Sequence, residues 1–163
     1  MSDVTLILED LKEVVTLAPK GAPKGPRRGR WLGEPGVIEG GAIAVAGGRI
    51  VAVGSRDEVR SAYPGAERRG CDGAVALPGF VDPHTHLPFT GSRERDFEAR
   101  VAGRSYADIA LAGGGIRCTM RAVRSASLED LIDVARPRLD RMLEHGTTSA
   151  EAKSGYGLEL ATE

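Results

Sequence analysis

The stretch Pro78-Gly79-Phe80-Val81-Asp82-Pro83-His84-Thr85-His86-Leu87-Pro88-Phe89 decides how the rest of the chain is read. Pro78-Gly79 is a break, and Phe80-Val81 opens an apolar run that predicts a strand over residues 80–86. Side chains at i and i+2 of a strand share a face. His84 and His86 therefore fall on one side and can reach a single cation through ring nitrogens. Two of the chain's three histidines lie here, and Pro83 and Pro88 stiffen both flanks. An H-x-H alone is weak evidence, since surface histidines at this spacing are often inert.

Downstream, strand and helix signals alternate. Residues 93–102 and 106–112 read as helices, the second capped by Ser105. Gly113-Gly114-Gly115 is a hard break, and Ile116, Met120 and Val123 resume helical spacing. Ser127 and Asp130 form an S-x-x-D capping box. It opens the longest helix, where Leu128, Leu131, Ile132, Ala135, Leu139, Met142 and Leu143 line one face. Pro137 should kink that helix because it lacks an N–H, and Gly146 suits its end. Residues 147–153 read as a second strand, and Leu158–Glu163 as the start of another helix. Strand, long crossover and strand form the parallel α/β signature.

Upstream, the pattern is β. Val4, Leu6 and Leu8 alternate with Thr5, Ile7 and Glu9, and Val14–Leu17 is another short apolar run. Residues 19–36 hold four prolines, five glycines and five basic residues. They cannot sustain a helix or a central strand, so they read as an exposed loop rather than an anion site. Apolar runs at residues 42–46 and 50–53 flank Gly47-Gly48, a two-residue hairpin signal. No GxGxxG motif marks a dinucleotide site. Ser55 caps a short helix stopped by Pro64-Gly65, and residues 70–77 read as one further strand.

Composition narrows the class. A length of 163 residues suits one domain taken alone, with 41% hydrophobic residues to form a core. Aromatics are only 4%, so that core must be aliphatic. Gly and Pro make up 31 residues, about 19% of the chain and below the ~25–30% that marks disorder. A net charge of -1 argues against a general nucleic-acid binder. The sequence has no run of about 18 apolar residues of the kind that could span a membrane as a helix. Residues 1–15 lack a secretory pattern. Cys71 and Cys118 show no metal spacing and read as reduced thiols of a cytoplasmic protein.

The frame P-G-F-V-D-x-H-x-H after a small β domain resembles the amidohydrolase superfamily of metal-dependent hydrolases. Two longer stretches, VDPHTHLPFTGSRERDFEARVAGRSYADIALAGGGI and GTTSAEAKSGYGLELATE, resemble the imidazolonepropionase family within it. The resemblance spans most of residues 37–163. It implies a partial TIM-type (β/α) barrel of the amidohydrolase kind, cut after about two strands. Residues 1–77 would belong to a small β-sandwich-like domain, and residues 78–163 would be the first βα units. A full barrel of this type takes about 250 residues.

The resemblance also implies an activity: hydrolysis of 4-imidazolone-5-propanoate to N-formimidoyl-L-glutamate in histidine degradation. It would use one Zn or Fe ion, with activated water attacking the cyclic amide carbonyl. His84 and His86 match the first two metal ligands. Arg93 and Tyr156 match the substrate-binding arginine and tyrosine, and a guanidinium suits the substrate's propionate. No catalytic acid or base is matched, and those residues are expected beyond Glu163. The implied partner is the small-molecule substrate, with neither nucleic acid nor membrane, and a homodimer is the candidate assembly.

Each of these residues also has a plainer role open to it. Arg93 could start a helix and pair with Glu94 or Asp96, and Tyr156 could be an ordinary loop tyrosine. Asp82 could orient a ligand histidine or hold a turn. Lys153 is set aside because the family uses one metal. His145 is expected to complement the helix dipole. Two other functions compete: a cyclic amidase or aminohydrolase of the same superfamily, and a non-catalytic fragment.

Overall fold

The computed structural model of the chain describes residues 4–163 as a mixed α/β structure. Residues 1–3, part of the stretch read as lacking a secretory signal, lie outside the described residues. The chain divides into two compact units between Pro78 and Gly79.

In the first unit, strand β1 (Leu6–Glu9) is followed by β2 (Glu13–Val15), β3 (Val37–Glu39), β4 (Gly41–Ala46) and β5 (Arg49–Ser55). Helix α1 (Arg56–Ala62), β6 (Glu67–Gly70) and β7 (Val75–Ala76) complete it. One sheet has the order β5-β4-β1-β6, the other β3-β2-β7. β1 runs antiparallel to β4 and parallel to β6. Gly47 and Gly48 join β4 to β5 with φ of +54° and +73°. Two successive left-handed residues give the turn whose twist matches the flanking strands.

β4 is buried along nearly its whole length because both of its faces are covered. Ala42 and Ala44 pack with Ile7 against Val59 of α1. Ile43, on the opposite face, packs with Leu11 and Val14 of the second-sheet side. Period-2 alternation sorts these side chains into two small aliphatic cores. α1 begins where expected, with a capping box in which the side chains of Ser55 and Glu58 satisfy each other's backbone N–H groups. Within residues 19–36 there is only a short 3-10 turn, Gly29–Gly33, with no buried residue.

One reading needs correction. Residues 70–77 do not form a single strand. Asp72 and Gly73 take φ of +49° and +75°, and the chain turns there. β6 has paired with β1 before the turn, and β7 pairs with β2 after it. The Asp-Gly dipeptide is itself a turn signal, so the chain passes from one sheet to the other at this point.

The second unit holds β8 (Phe80–Thr85), α2 (Glu94–Val101), α3 (Tyr106–Leu111), α4 (Ile116–Ser125), α5 (Leu128–Glu144) and β9 (Thr147–Ala152). β8 and β9 pair in parallel. Capping boxes at Ser105/Asp108 and Ser127/Asp130 start α3 and α5. α5 continues through Pro137, and Gly146 closes it at φ +89°. The expected apolar face of α5 is present, but Leu128, Ile132, Leu139 and Leu143 are exposed among the described residues. Leu158–Glu163 is a turn rather than the start of a helix. Leu158 has φ +55°, a left-handed value that a right-handed helix excludes.

Candidate functional site

The site is built where β8 loses its regular pairing. Pro83 offers no N–H to the ladder, and the β8–β9 register shifts between Asp82 and Thr85. The carboxylate of Asp82 accepts the backbone N–H of His84 at 3.1 Å. This is a contact within β8, from one residue's side chain to the backbone two residues on. Pairing resumes at Thr85, whose hydroxyl donates to the Glu151 carbonyl at 2.6 Å, while its own carbonyl accepts the Lys153 N–H at 2.8 Å. Irregularities of this kind re-aim side chains at strand ends.

His84 is the next-to-last residue of β8, which Thr85 closes, and His86 lies one residue beyond it. Their ring centroids are 5.4 Å apart. His86 also meets Tyr156 at 5.2 Å, and Tyr156 meets Phe89 at 5.6 Å. Residues from after β8 and after β9 therefore share one cluster, at the C-terminal ends of both parallel strands. His86 Nδ1 is buried and has no hydrogen-bond partner. A buried polar atom left unpaired costs about 1–3 kcal/mol, so this Nδ1 is an unsatisfied group within the cluster.

Gly155 makes the cluster possible. Its φ is +134°, and a Cβ there would lie 3.1 Å from His86 Cε1. Gly155→Ala is expected to strain the loop by about 1–3 kcal/mol and to push the His86 ring away from Tyr156. The His86 Hε1 proton resonance should move as the ring-current contribution changes, while that of His145 stays fixed. An unmoved His86 resonance would contradict this packing.

Arg93 caps α2 and donates through Nε to Asp96 at 2.8 Å. It also lines a cavity of about 470 Å³ together with Tyr156, Phe89, Thr119 and Arg138. Asp96 holds a carboxyl below the ordinary carboxylate range, first because of the Arg93 hydrogen bond and then because of the Gly115 N–H. Arg138 was not singled out from the sequence. Its Nη1 donates to the carbonyls of Leu87 and Phe89, each at 2.7 Å, and its guanidinium sits 3.9 Å over the Phe89 ring. It thereby fixes the loop that follows His86. Its neighbour Pro137 gave no hint of this, because contacts some fifty residues apart leave no spacing signature.

The other titratable candidates have structural partners. Lys153 pairs with Glu151, and its ammonium lowers that carboxyl's pKa. His145 Nδ1 lies 2.8 Å from the Arg141 carbonyl at the end of α5. Among the described residues, no group of three or more His, Cys, Asp or Glu side chains converges on one point.

Relatives match this chain closely. Imidazolonepropionase of Symbiobacterium thermophilum is 48% identical over all of this chain and 38% of its own length. That of Herpetosiphon aurantiacus is 48% identical over 86% of this chain and 33% of its own length. Residues 41–66 match the family model for the imidazolonepropionase-like composite domain of bacteria. Among solved structures, Helicobacter pylori aminofutalosine deaminase in complex with methylthio-coformycin superposes with a TM-score of 0.55 at 20% identity, over 95% of this chain and 31% of its own. An adenosine deaminase from Xanthomonas campestris with bound zinc gives 0.53 at 22% identity, over 93% and 29%.

A parallel strand pair carrying a histidine doublet near its C-terminal end thus sits on the fold shared with these two deaminases. At 48% identity over its full length, the chain belongs to the imidazolonepropionase family. It spans about a third of the length of the curated relatives it matches, 38% and 33% of the two named above.

Proposed function

We propose that the chain is the metal-holding and substrate-anchoring N-terminal portion of an imidazolonepropionase. The reaction is hydrolysis of 4-imidazolone-5-propanoate to N-formimidoyl-L-glutamate, in histidine degradation. The observation that carries this reading is the cluster of His84, His86 and Tyr156, with Arg93 lining the same cavity as Tyr156. On this reading residues 78–163 are the first βα units of a TIM-type barrel, and residues 1–77 belong to a small β-sandwich-like domain. The two free cysteines are in keeping with a cytoplasmic setting.

His84 and His86 would hold the metal, and the orphaned Nδ1 of His86 fits a ligand role. A bound Zn or Fe ion supplies Lewis acidity and a water nucleophile at neutral pH. The chain's own residues bind and orient the substrate. The planar fork of Arg93 takes the propionate through paired hydrogen bonds. Tyr156, flanked by Gly155 and Gly157, closes over the ring and shields it from bulk water.

Catalytic zinc centres take three protein ligands, so residues outside these 163 supply the rest, together with the proton-transfer group. The two-ligand set also favours a narrower reading, in which these residues alone bind metal weakly and turn nothing over. Purified chain should be assayed for metal content and for turnover of 4-imidazolone-5-propanoate, dihydroorotate and cytosine. Stoichiometric tight metal with turnover removes the narrower reading, and preference for either of the latter substrates points to a different amidohydrolase. In an enzyme competent for turnover, Arg93→Ala should raise KM at least about tenfold, the scale of a lost charge-assisted hydrogen bond. An unchanged KM refutes the anchor role.

A further inference from the structure

We propose that Asp96 is a positioning residue that sets the Arg93 guanidinium for a carboxylate. The inference rests on the anchor role of Arg93 proposed above. Arg93 borders two cavities: the one of about 470 Å³ shared with Tyr156, and another of about 620 Å³ lined by Arg95, Arg104 and Arg121. A long, half-exposed arginine between two openings loses rotamer entropy when it is ordered in either one. Binding is stronger when that ordering is already complete.

Asp96 supplies the ordering. Its Oδ2 accepts Arg93 Nε at 2.8 Å and the Gly115 N–H at 2.8 Å. Its side chain is only 13% exposed, against 42% for Arg93. Among the described residues the Arg93 guanidinium makes no other hydrogen bond. Both terminal nitrogens are therefore free, and an end-on pair of N–H donors is what a carboxylate accepts. The Gly113-Gly114-Gly115 turn is shaped around this carboxylate. A Cβ on Gly114 would lie 2.3 Å from Asp96 Oδ1 and 2.8 Å from Ile109 Cγ2. Gly115 takes φ +69°, which brings its N–H to Asp96. Two hydrogen bonds and a close glycine turn thus converge on a group that has no reacting atom of its own.

The test uses the full chain. The ¹⁵Nε order parameter of Arg93 should be high in the unmodified protein, well above that of Arg95. It should fall to the Arg95 level in Asp96→Asn and be largely restored in Asp96→Glu. The probe is 3-(imidazol-4-yl)propanoate, compared with 4-methylimidazole, which lacks the carboxylate. Asp96→Asn should weaken the first about tenfold and the second less than about twofold. An Arg93 Nε as mobile as Arg95 in the unmodified protein overturns the proposal, and that comparison decides the matter even if Asp96→Asn fails to fold. Weakening of the probe by Arg93→Ala but not by Asp96→Asn also overturns it. Probe affinity unchanged in Arg93→Ala overturns instead the anchor reading on which the proposal rests.

Discussion

His86→Ala is expected to weaken divalent-metal binding by the chain at least about a hundredfold. Loss of a residue that merely orients a ligand costs about 10–100-fold, so loss of a ligand should exceed that. His86 is the sharper of the two positions because its buried Nδ1 has no protein partner, whereas a histidine kept for packing would normally be satisfied. Its ring is held on both sides, by His84 at 5.4 Å and Tyr156 at 5.2 Å. Titration with Co(II), followed by its visible absorption and by calorimetry, reads the affinity directly. His84→Ala should behave like His86→Ala. His145→Ala should bind like the unmodified chain, because that imidazole serves the α5 carbonyls. Equal affinity in His86→Ala and His145→Ala would remove the metal role of the doublet.

The second large effect lies in the β unit and concerns Glu9. This carboxylate is 5% exposed and is held by both oxygens: Arg60 Nε donates to Oε2 at 2.6 Å and Nη2 to Oε1 at 2.7 Å. Arg60→Ala leaves a buried charge unpaired. Such a break costs about 3–5 kcal/mol in full burial. Because Arg60 is a third exposed, water screens part of that cost. The Arg60 hydrogen bond holds the Glu9 carboxyl below its ordinary value of 4.5, against the opposing effect of burial, with added attraction from Arg60, Arg68 and Arg56. A carboxyl whose folded pKa is depressed gives stability that is complete above the unfolded value and lost as pH falls through the folded one. The gap between unmodified protein and Arg60→Ala should therefore be widest at neutral pH and narrow below about pH 4.5. Native-state hydrogen exchange at the Ile7 and Leu8 amides, measured at pH 7 and pH 4, checks this. A gap independent of pH would rule out the ion pair as its source. Replacing both partners with leucine should restore much of the loss.

Local chemistry made much of this molecule readable. The Gly47-Gly48 hairpin and the capping boxes at Ser55, Ser105 and Ser127 each depend on residues within three or four positions of one another. They appear where the sequence places them. The i, i+2 spacing of His84 and His86 likewise brings two rings together. What stayed hidden is non-local or conformational. The Asp72-Gly73 turn was overlooked because the apolar residues on either side read as one run. The parallel partner of β1 is some sixty residues away and has no marker in its composition. Asp96 resembles any acid in the first turn of a helix until the Gly115 N–H reaches it from nineteen residues on. The closing turn looked helical because positive φ at a leucine cannot be anticipated from residue type.

The place of β1 in its sheet has a consequence for synthesis. The hairpin of β4 and β5 is contiguous and can close within about 1–10 μs of leaving the ribosome. β1 emerges first, yet one of its two neighbours, β6, is translated some sixty residues later. At about 5–20 residues per second, that edge stays open for roughly 3–12 s in each newly made molecule. Over that interval an apolar strand containing Leu6, Ile7 and Leu8 displays unpaired backbone along one edge. A delayed, aggregation-exposed edge is thus written into the pairing of β1.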